Sequence, residues 1–341
     1  MRARAPLRIS FSGGGTDVAP YPEKYGGAVL STSIDHYAYC TVDDAPSEGF
    51  TLSSADLEIN EIYQDLSSLT YNGKLDLAKA VVRTMWSDCA KKFELSLLSE
   101  APPGSGLGSS SSLMVAIIKA VSEYQGFPLD RYSLAEMAYK LERVELGIKG
   151  GYQDQYAATF GGFNFIEFTS DKTLVNPLRV SSEILEELHA SLILIDMGRS
   201  RLSSDILSRQ IDSYKREDAV VMESLHRIKA VAYQMKALLL KGHLIEFGSL
   251  LHEEWALKKR LDKMITNARI DQLYGGALKN GAIGGKILGA GDGGHMLFFV
   301  DFQKKRNLLK YLMTNGYRHV PFNFDSQGAV SWKVKDGEVL A

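Results

Sequence analysis

The segment Pro102-Pro103-Gly104-Ser105-Gly106-Leu107-Gly108-Ser109-Ser110-Ser111-Ser112 constrains this chain more than any other. Before it, Phe93, Leu95 and Leu97 alternate with Glu94 and Ser96, the period of a half-buried strand. After it, Leu113, Ile117, Val121 and Tyr124 recur at helical spacing. A glycine loop pinned between a strand and a helix start has a definite chemistry. The open N–H groups and partial positive charge of a helix N-terminus attract anions. Glycines let the main chain approach phosphate oxygens with no Cβ in the way. Serine hydroxyls in the first turn reach a phosphate or Mg²⁺. The predicted nucleotide contacts are Pro103, Gly104, Ser105, Gly106, Leu107, Gly108, Ser109, Ser110 and Ser111. The alternative is a flexible Gly/Ser linker, which would not sit between a clear strand and a clear amphipathic helix. The Gly-Lys-Ser/Thr ending of a Walker A loop is missing, and the glycine spacing differs from the dinucleotide fingerprint.

Two more glycine segments flank this one. Leu7, Ile9 and Phe11 alternate with polar residues until Ser12-Gly13-Gly14-Gly15-Thr16-Asp17 breaks the run. Gly14, Gly15, Thr16 and Asp17 are candidate substrate contacts. A short carboxylate on a glycine loop accepts hydrogen bonds from two sugar hydroxyls, or closes an Asx-turn. Arg8, on the strand before it, is a surface residue or a fixed cation of the site. The third segment, Gly284 to Gly294, precedes the strand His295–Val300. It is a hairpin turn or a close approach of another backbone or a ligand. Gly291 and Asp292 are counted among the site residues, and His295 is read as structural.

Between these segments a helix is expected from Ser133, with Glu136 completing a capping box and Gly147, Gly150 and Gly151 ending it. Glu142, Lys149, Gly151 and Asp154 flank that glycine turn. Phosphoryl transfer needs a metal to neutralise phosphate charge and gains from a carboxylate that receives the attacking hydroxyl's proton. Glu142 and Asp154 would satisfy both needs. A solvated helix face is the alternative for Glu142.

The chain has 341 residues, of which 45% are hydrophobic, enough for two domains, placed at 1–180 and 181–341. A helix is expected from Asp76 to about Lys92, a linking region at 171–190, a long helix over 205–240 and another over 244–264. A net charge of -2 gives no overall attraction to nucleic acid or anionic membrane. Cys40 and Cys89 form no metal-like pair, and Cys89 falls at core spacing. Two isolated thiols, no apolar run after the N-terminus and no stretch of about 18 apolar residues make a cytoplasmic protein the expectation.

Three glycine segments in this order resemble the GHMP kinase superfamily of galactokinase, homoserine kinase, mevalonate kinase and phosphomevalonate kinase. The resemblance covers nearly the whole chain and is most specific at Pro-x-Gly-Ser-Gly-Leu-Gly-Ser-Ser. It implies an α+β, two-domain fold. The N-terminal α/β domain carries a left-over-right β-α-β type loop region, and the mostly helical C-terminal domain has a small antiparallel sheet. It implies ATP and Mg²⁺ as cofactors, with the metal on Ser110 and Glu142. Glu145 is a rival to Glu142, because the spacing to the catalytic segment is one residue longer than in relatives. It implies Asp154, in Gly151-Tyr152-Gln153-Asp154-Gln155, as catalytic aspartate, with Arg8 beside it and Asp17 on the sugar. Asp292 stands where relatives have glycine, so its side chain is expected to point away from phosphate. Within the superfamily, Leu7 to Asp17 looks most like the branch that phosphorylates the anomeric hydroxyl of D-glycero-D-manno-heptose 7-phosphate, for surface-polysaccharide precursors. A fucokinase-like sugar 1-kinase is the alternative, and a non-catalytic sugar sensor a second one. A sugar phosphate needs cations, for which Arg199, Arg201 and Lys149 are candidates, with Arg2 and Lys24 behind them. The substrate is the one partner implied; a homodimer stays open.

Overall fold

The computed structural model describes residues 1–45, 49–86, 92–198, 203–335 and 338–340. Its organising element is the strand Gly27–Asp44, 18 residues long. Arg2–Ser12 pairs antiparallel along most of it. On its other side, Gly27–Thr32 pairs with Phe163–Phe168 and Ala38–Asp44 with Phe93–Ser99. Phe50–Ser54 joins Phe93–Ser99 in parallel, and the helix Asp76–Met85 lies in the connection between them.

A register shift lies between Pro6 and Leu7, where the pairing skips Asp35 and His36 of the partner strand. Ala3 and Ala5, before the shift, pack in the core under the helix Ser109–Tyr124 with Val115, Ile118 and Val121. Leu7, Ile9 and Phe11, after it, pack with Trp255, Phe298 and Leu194 of the C-terminal half. Arg8 and Ser10 lie between those apolar residues and turn into the cleft between the halves.

The C-terminal half includes the helices Ser203–Lys215, Ala219–Lys241, Leu244–Lys259 and Ala268–Lys279. With them goes an antiparallel sheet of four strands in the order Arg318–His319, Leu192–Asp196, His295–Val300, Ala282–Ile287. Phe302–Thr314 is one more helix. The chain then returns. Phe324–Asp325 pairs with Gly27–Asp44, and Val330–Lys335 pairs with Arg2–Ser12. The expected division at 180/181 therefore needs an amendment: the last strands belong to the first sheet, and one apolar core crosses the division.

Local expectations change in four places. The first helix stops at Met85, where Trp86 turns extended, short of Lys92. The helix expected from Ser133 begins at Arg131, because Asp130 accepts from the N–H groups of Tyr132 and Ser133 and so replaces Ser133 as cap. Residues 171–190 hold a strand, Thr173–Pro177, and most of a helix, Ser182–Ser191, instead of an unstructured link. The long helix over 205–240 is two helices. Glu217 takes a left-handed conformation and Asp218 caps the second, accepting from Val220 and Val221 N–H. Arg199, Arg201 and Cys89 lie outside the described residues.

Candidate functional site

The helix Ser109–Tyr124 starts from Gly108, held at φ 77°. That left-handed turn suits glycine and swings the first turn open. Among the described residues, the N–H groups of Ser109, Ser110 and Ser111 have no main-chain acceptor outside the helix, as expected at a helix start. The loop's shape is fixed by its own side chains. Ser109 Oγ donates to the Pro102 carbonyl at 3.2 Å, and Leu107 N–H donates to Ser105 Oγ at 3.4 Å. The third glycine segment clamps it from outside. A Cβ on Gly106 would collide with the Leu288 carbonyl, and one on Gly294 with the Ser105 carbonyl. His295 Nδ1 lies 2.8 Å from the Ser105 carbonyl, and burial lowers its pKa. His295 thus fastens the loop through the Ser105 carbonyl.

The loop borders the cleft at one point. A Cβ on Gly108 would lie 3.4 Å from Arg8 Cγ and 3.5 Å from Asp154 Cγ. Arg8 Nε donates to Asp154 Oδ1 at 2.8 Å, and Nη2 lies 2.8 Å from the same oxygen. Arg8 Nη1 also donates to the Gly106 carbonyl. The arginine therefore ties the loop to the aspartate. Arg8 is 4% exposed and Asp154 is 19% exposed, so the carboxylate is the member open to the cleft.

Asp17 is buried across from this pair. It accepts from Gly15 N–H at 3.0 Å, Gln153 N–H at 3.1 Å and Gln153 Nε2 at 3.1 Å. Burial, and then the negative charge of Asp154, raise its pKa. Gly151 is required here because a Cβ would strike the Asp17 carboxylate. Ser10 Oγ and Gln153 Oε1 line the same cleft, are buried, and have no partner among the described residues. Those two orphaned groups and the carboxylate make a polar wall suited to hydroxyls. Gly14 and Gly15 line the cleft too. Thr16 does not face it: its hydroxyl bonds the Gly13 and Ala28 carbonyls and holds the loop together.

Glu142 is fully buried on the π-helical turn Lys140–Glu145. Its Oε2 accepts from Ser111 Oγ at 2.6 Å and Gln155 Nε2 at 2.6 Å. Its Oε1 lies 3.3 Å from Arg143 Nη1 outside hydrogen-bond geometry and is otherwise unpartnered. The structure therefore brings Ser111 to Glu142, one residue beyond the expected Ser110. Ser110 is half-buried, and its hydroxyl bonds no described group. Glu145 is exposed and accepts from Tyr71 Oη at 2.9 Å, away from this cluster. No group of three His, Cys, Asp or Glu side chains among the described residues is arranged to hold a metal. Mg²⁺ in such sites typically takes one or two protein oxygens and fills its shell from phosphates and water. The Glu142 carboxylate, with Oε1 lacking a hydrogen-bond partner, and the Ser111 hydroxyl at 2.6 Å from Oε2 are oxygens of that kind.

Four more expected contacts, Gly291, Asp292, Lys24 and Arg2, do not line the cleft. Asp292 accepts from Asn267 Nδ2 at 3.1 Å, and its N–H bonds the Ile265 carbonyl, so it points away. Gly289 and Ala290 line the cleft where Gly291 and Asp292 were expected. Lys24 pairs with Glu217 at 2.7 Å on the surface, and Arg2 is exposed at the far end of its strand, opposite Trp332 and Thr41. Lys149 does line the cleft, at its exposed mouth.

Sequence reasoning missed Lys258, Lys286, Glu254 and Arg143. Lys286 Nζ lies 3.1 Å from Glu254 Oε1, whose other oxygen accepts from Ser12 Oγ at 2.8 Å. The signal was present: Leu251, Glu254, Trp255 and Lys258 follow i, i+3, i+4, i+7, which places two charges on an apolar face. Arg143 Nε donates to the Gly151 carbonyl at 3.4 Å and braces the glycine turn.

Residues 76–162 match the family model described as "GHMP kinases N terminal domain", and residues 235–319 match "GHMP kinases C terminal". The chain is 39% identical to the D-glycero-alpha-D-manno-heptose 7-phosphate kinase of Campylobacter jejuni, covering 98% of this chain and 99% of that relative. It superposes on a D-glycero-D-manno-heptose 1-phosphate kinase from Bacteroides thetaiotaomicron with a TM-score of 0.83 and 35% identity, covering 98% and 99% of the two chains. A Lactococcus lactis galactokinase complexed with galactose shares the fold, with a TM-score of 0.72 and 20% identity over 96% of this chain and 93% of that one.

Proposed function

This chain belongs to the GHMP kinases, and we propose that it transfers the γ-phosphoryl group of ATP to the anomeric hydroxyl of D-glycero-D-manno-heptose 7-phosphate. The observation that carries the reading is the Arg8–Asp154 pair at the start of the helix Ser109–Tyr124. It sets a carboxylate beside a phosphate-binding helix terminus, with a second carboxylate, Asp17, across the cleft.

The chain's own groups have separable tasks. The open N–H groups of the 104–111 loop hold the nucleotide phosphates. Asp17 accepts from sugar hydroxyls, and Gln153 Oε1 and Ser10 Oγ satisfy others. Asp154 orients the anomeric hydroxyl and takes its proton as that oxygen attacks the γ-phosphorus in line. The bond from phosphorus to the bridging oxygen of ADP breaks as the new one forms. Arg8 holds Asp154 in place, and stabilises charge on the transferring group. Glu142, with Ser110 or Ser111, would hold Mg²⁺, which when bound neutralises charge between the β- and γ-phosphates.

The charge of the cleft supports a phosphorylated acceptor. Arg8, Arg143, Lys149, Lys258 and Lys286 line it against Asp17 and Asp154. Lys149 at the mouth suits the distal phosphate, as do Arg199 and Arg201 by their position in the chain. The relatives' names carry a phosphate at position 7 and at position 1, the two positions the proposed product would bear. Incubation with ATP and heptose 7-phosphate should yield ADP and a new anomeric phosphate signal by phosphorus NMR. ADP release with fucose and not with the heptose phosphate would favour the fucokinase-like alternative. ATP binding with no sugar-dependent ADP release would favour a sensor.

A further inference from the structure

Three cations lie deep in the cleft wall, and they differ in how they are neutralised. Arg8 has Asp154 at 2.8 Å. Lys286 has Glu254 at 3.1 Å and donates to the Phe11 carbonyl at 3.2 Å. Lys258 has no carboxylate within ion-pair distance among the described residues. Its Nζ donates to the Ile287 carbonyl at 3.3 Å and to the Gly289 carbonyl. Once protonated, the amine carries a third N–H donor that neither carbonyl takes. Lys258 is 8% exposed and lines the cleft, so that donor has only the cleft to serve.

Its attachment shows what it serves. Gly289 is in contact with Gly106 of the phosphate loop. Arg8 donates to the Gly106 carbonyl and Lys258 to the Gly289 carbonyl, so the two cations straddle the junction of the two glycine segments. A buried cation with no anion beside it is costly, and that cost is relieved when an anion arrives.

We propose that Lys258 binds a phosphoryl oxygen in the cleft, and that it takes up a proton from solution as this anion binds. The inference rests on the phosphoryl-transfer reading above. The groups facing Lys258 are Lys286 on the neighbouring strand, Glu254 on its own helix, Arg8 on the first strand and Asp17 on its loop. Burial, and then the charge of Lys286, lower the Lys258 ammonium to about 7. In the free protein the amine is therefore largely neutral above that pH, and an adjacent phosphate restores the ordinary lysine range. The uptake is one proton onto the amine nitrogen, with no other bond changed.

The oxygen comes from the γ-phosphate of the nucleotide or from the phosphate of the sugar, and two titrations distinguish them. Calorimetry at about pH 8.5, above the second ionisation of a phosphate, in buffers of different ionisation heat counts protons taken up. One arm uses a non-hydrolysable ATP analogue with Mg²⁺ and the other heptose 7-phosphate. Uptake of about 0.9 proton in one arm is expected and names the source, since a group titrating near 7 is almost wholly neutral at that pH. Lys258→Met should bind with no uptake and with affinity about tenfold weaker near neutrality, the loss of one charge-assisted hydrogen bond. Lys258→Arg, always charged, should bind with no uptake at all. No uptake by the unaltered protein in either arm, or with both ligands together, overturns the proposal. So does full uptake by Lys258→Arg. ADP release by the same preparation is scored separately, so a failed kinase reading is told apart from a failed lysine.

Discussion

The two glycine loops at 12–17 and 102–112 leave strands on either side of Gly27–Asp44, yet they offer a ligand different kinds of group. The second presents main chain. Its hydroxyls at Ser105 and Ser109 are used inside the loop, which leaves N–H groups to face outwards. The first presents one side chain. Asp17 is buried, tied by three donors, and pushed up in pKa by burial and by Asp154. Phosphate needs many weak donors in a fixed field, and backbone supplies them whatever the side chains are. A sugar needs particular acceptors at particular hydroxyls, and one carboxylate supplies much of that. A main-chain site should tolerate side-chain loss and fail when its shape changes. A side-chain site should do the reverse.

The sharpest departure from both patterns is expected at Asp154, which serves the junction. Asp154→Asn should lower turnover by about 10³-fold while nucleotide affinity stays close to that of the parent, read by ADP release and by calorimetry. Asp17→Ala should come next. Hydrogen bonds to a charged group are worth about 1.5–3 kcal/mol, so kcat/KM for the sugar should fall about 10- to 100-fold with KM for ATP unchanged. On the main-chain side, Gly106→Ala adds a Cβ against the Leu288 carbonyl at a left-handed φ. It should cost about 2 kcal/mol of stability and weaken ATP binding, whereas Ser109→Ala should change KM for ATP by less than about threefold. Equal losses from Ser109→Ala and Gly106→Ala would erase the contrast between the loops.

The smallest effect is on stability against pH. Asp17 has a raised pKa in the folded protein, so the folded state binds its proton more tightly than the unfolded chain does. That contribution is complete below the ordinary value of 3.8 and is lost as pH rises through the folded value. Asn does not titrate. The melting temperature of Asp17→Asn should therefore gain on that of the parent as pH rises from about 4 towards neutrality. A constant difference would show that the carboxylate is not strained.

The main-chain half of the site was the more legible in sequence for the same reason that it tolerates substitution. A strand, a glycine run and an apolar helix in that order define a helix-terminus anion site with no further detail. Arg8 and Asp154 were legible through resemblance, but their mutual bond joins residues 146 apart in the chain, which no alternation pattern announces. The choice between Ser110 and Ser111 depends on how a π-helical turn rotates Glu142, a local unwinding that spacing alone does not disclose. Lys258 and Lys286 were hidden because charges on an amphipathic helix or before a glycine turn usually face solvent. The break at Glu217–Asp218 was hidden because charged residues on both sides continue a plausible helical face.

The proposed acceptor of this kinase already carries a phosphate. The direct test is kcat/KM for ADP release with heptose 7-phosphate against the same heptose without phosphate. Loss of a phosphate held by cations should lower kcat/KM at least about 100-fold, with KM for ATP unchanged. Equal kcat/KM for the two sugars would contradict the account, and would mean that the cations of the cleft serve the nucleotide alone.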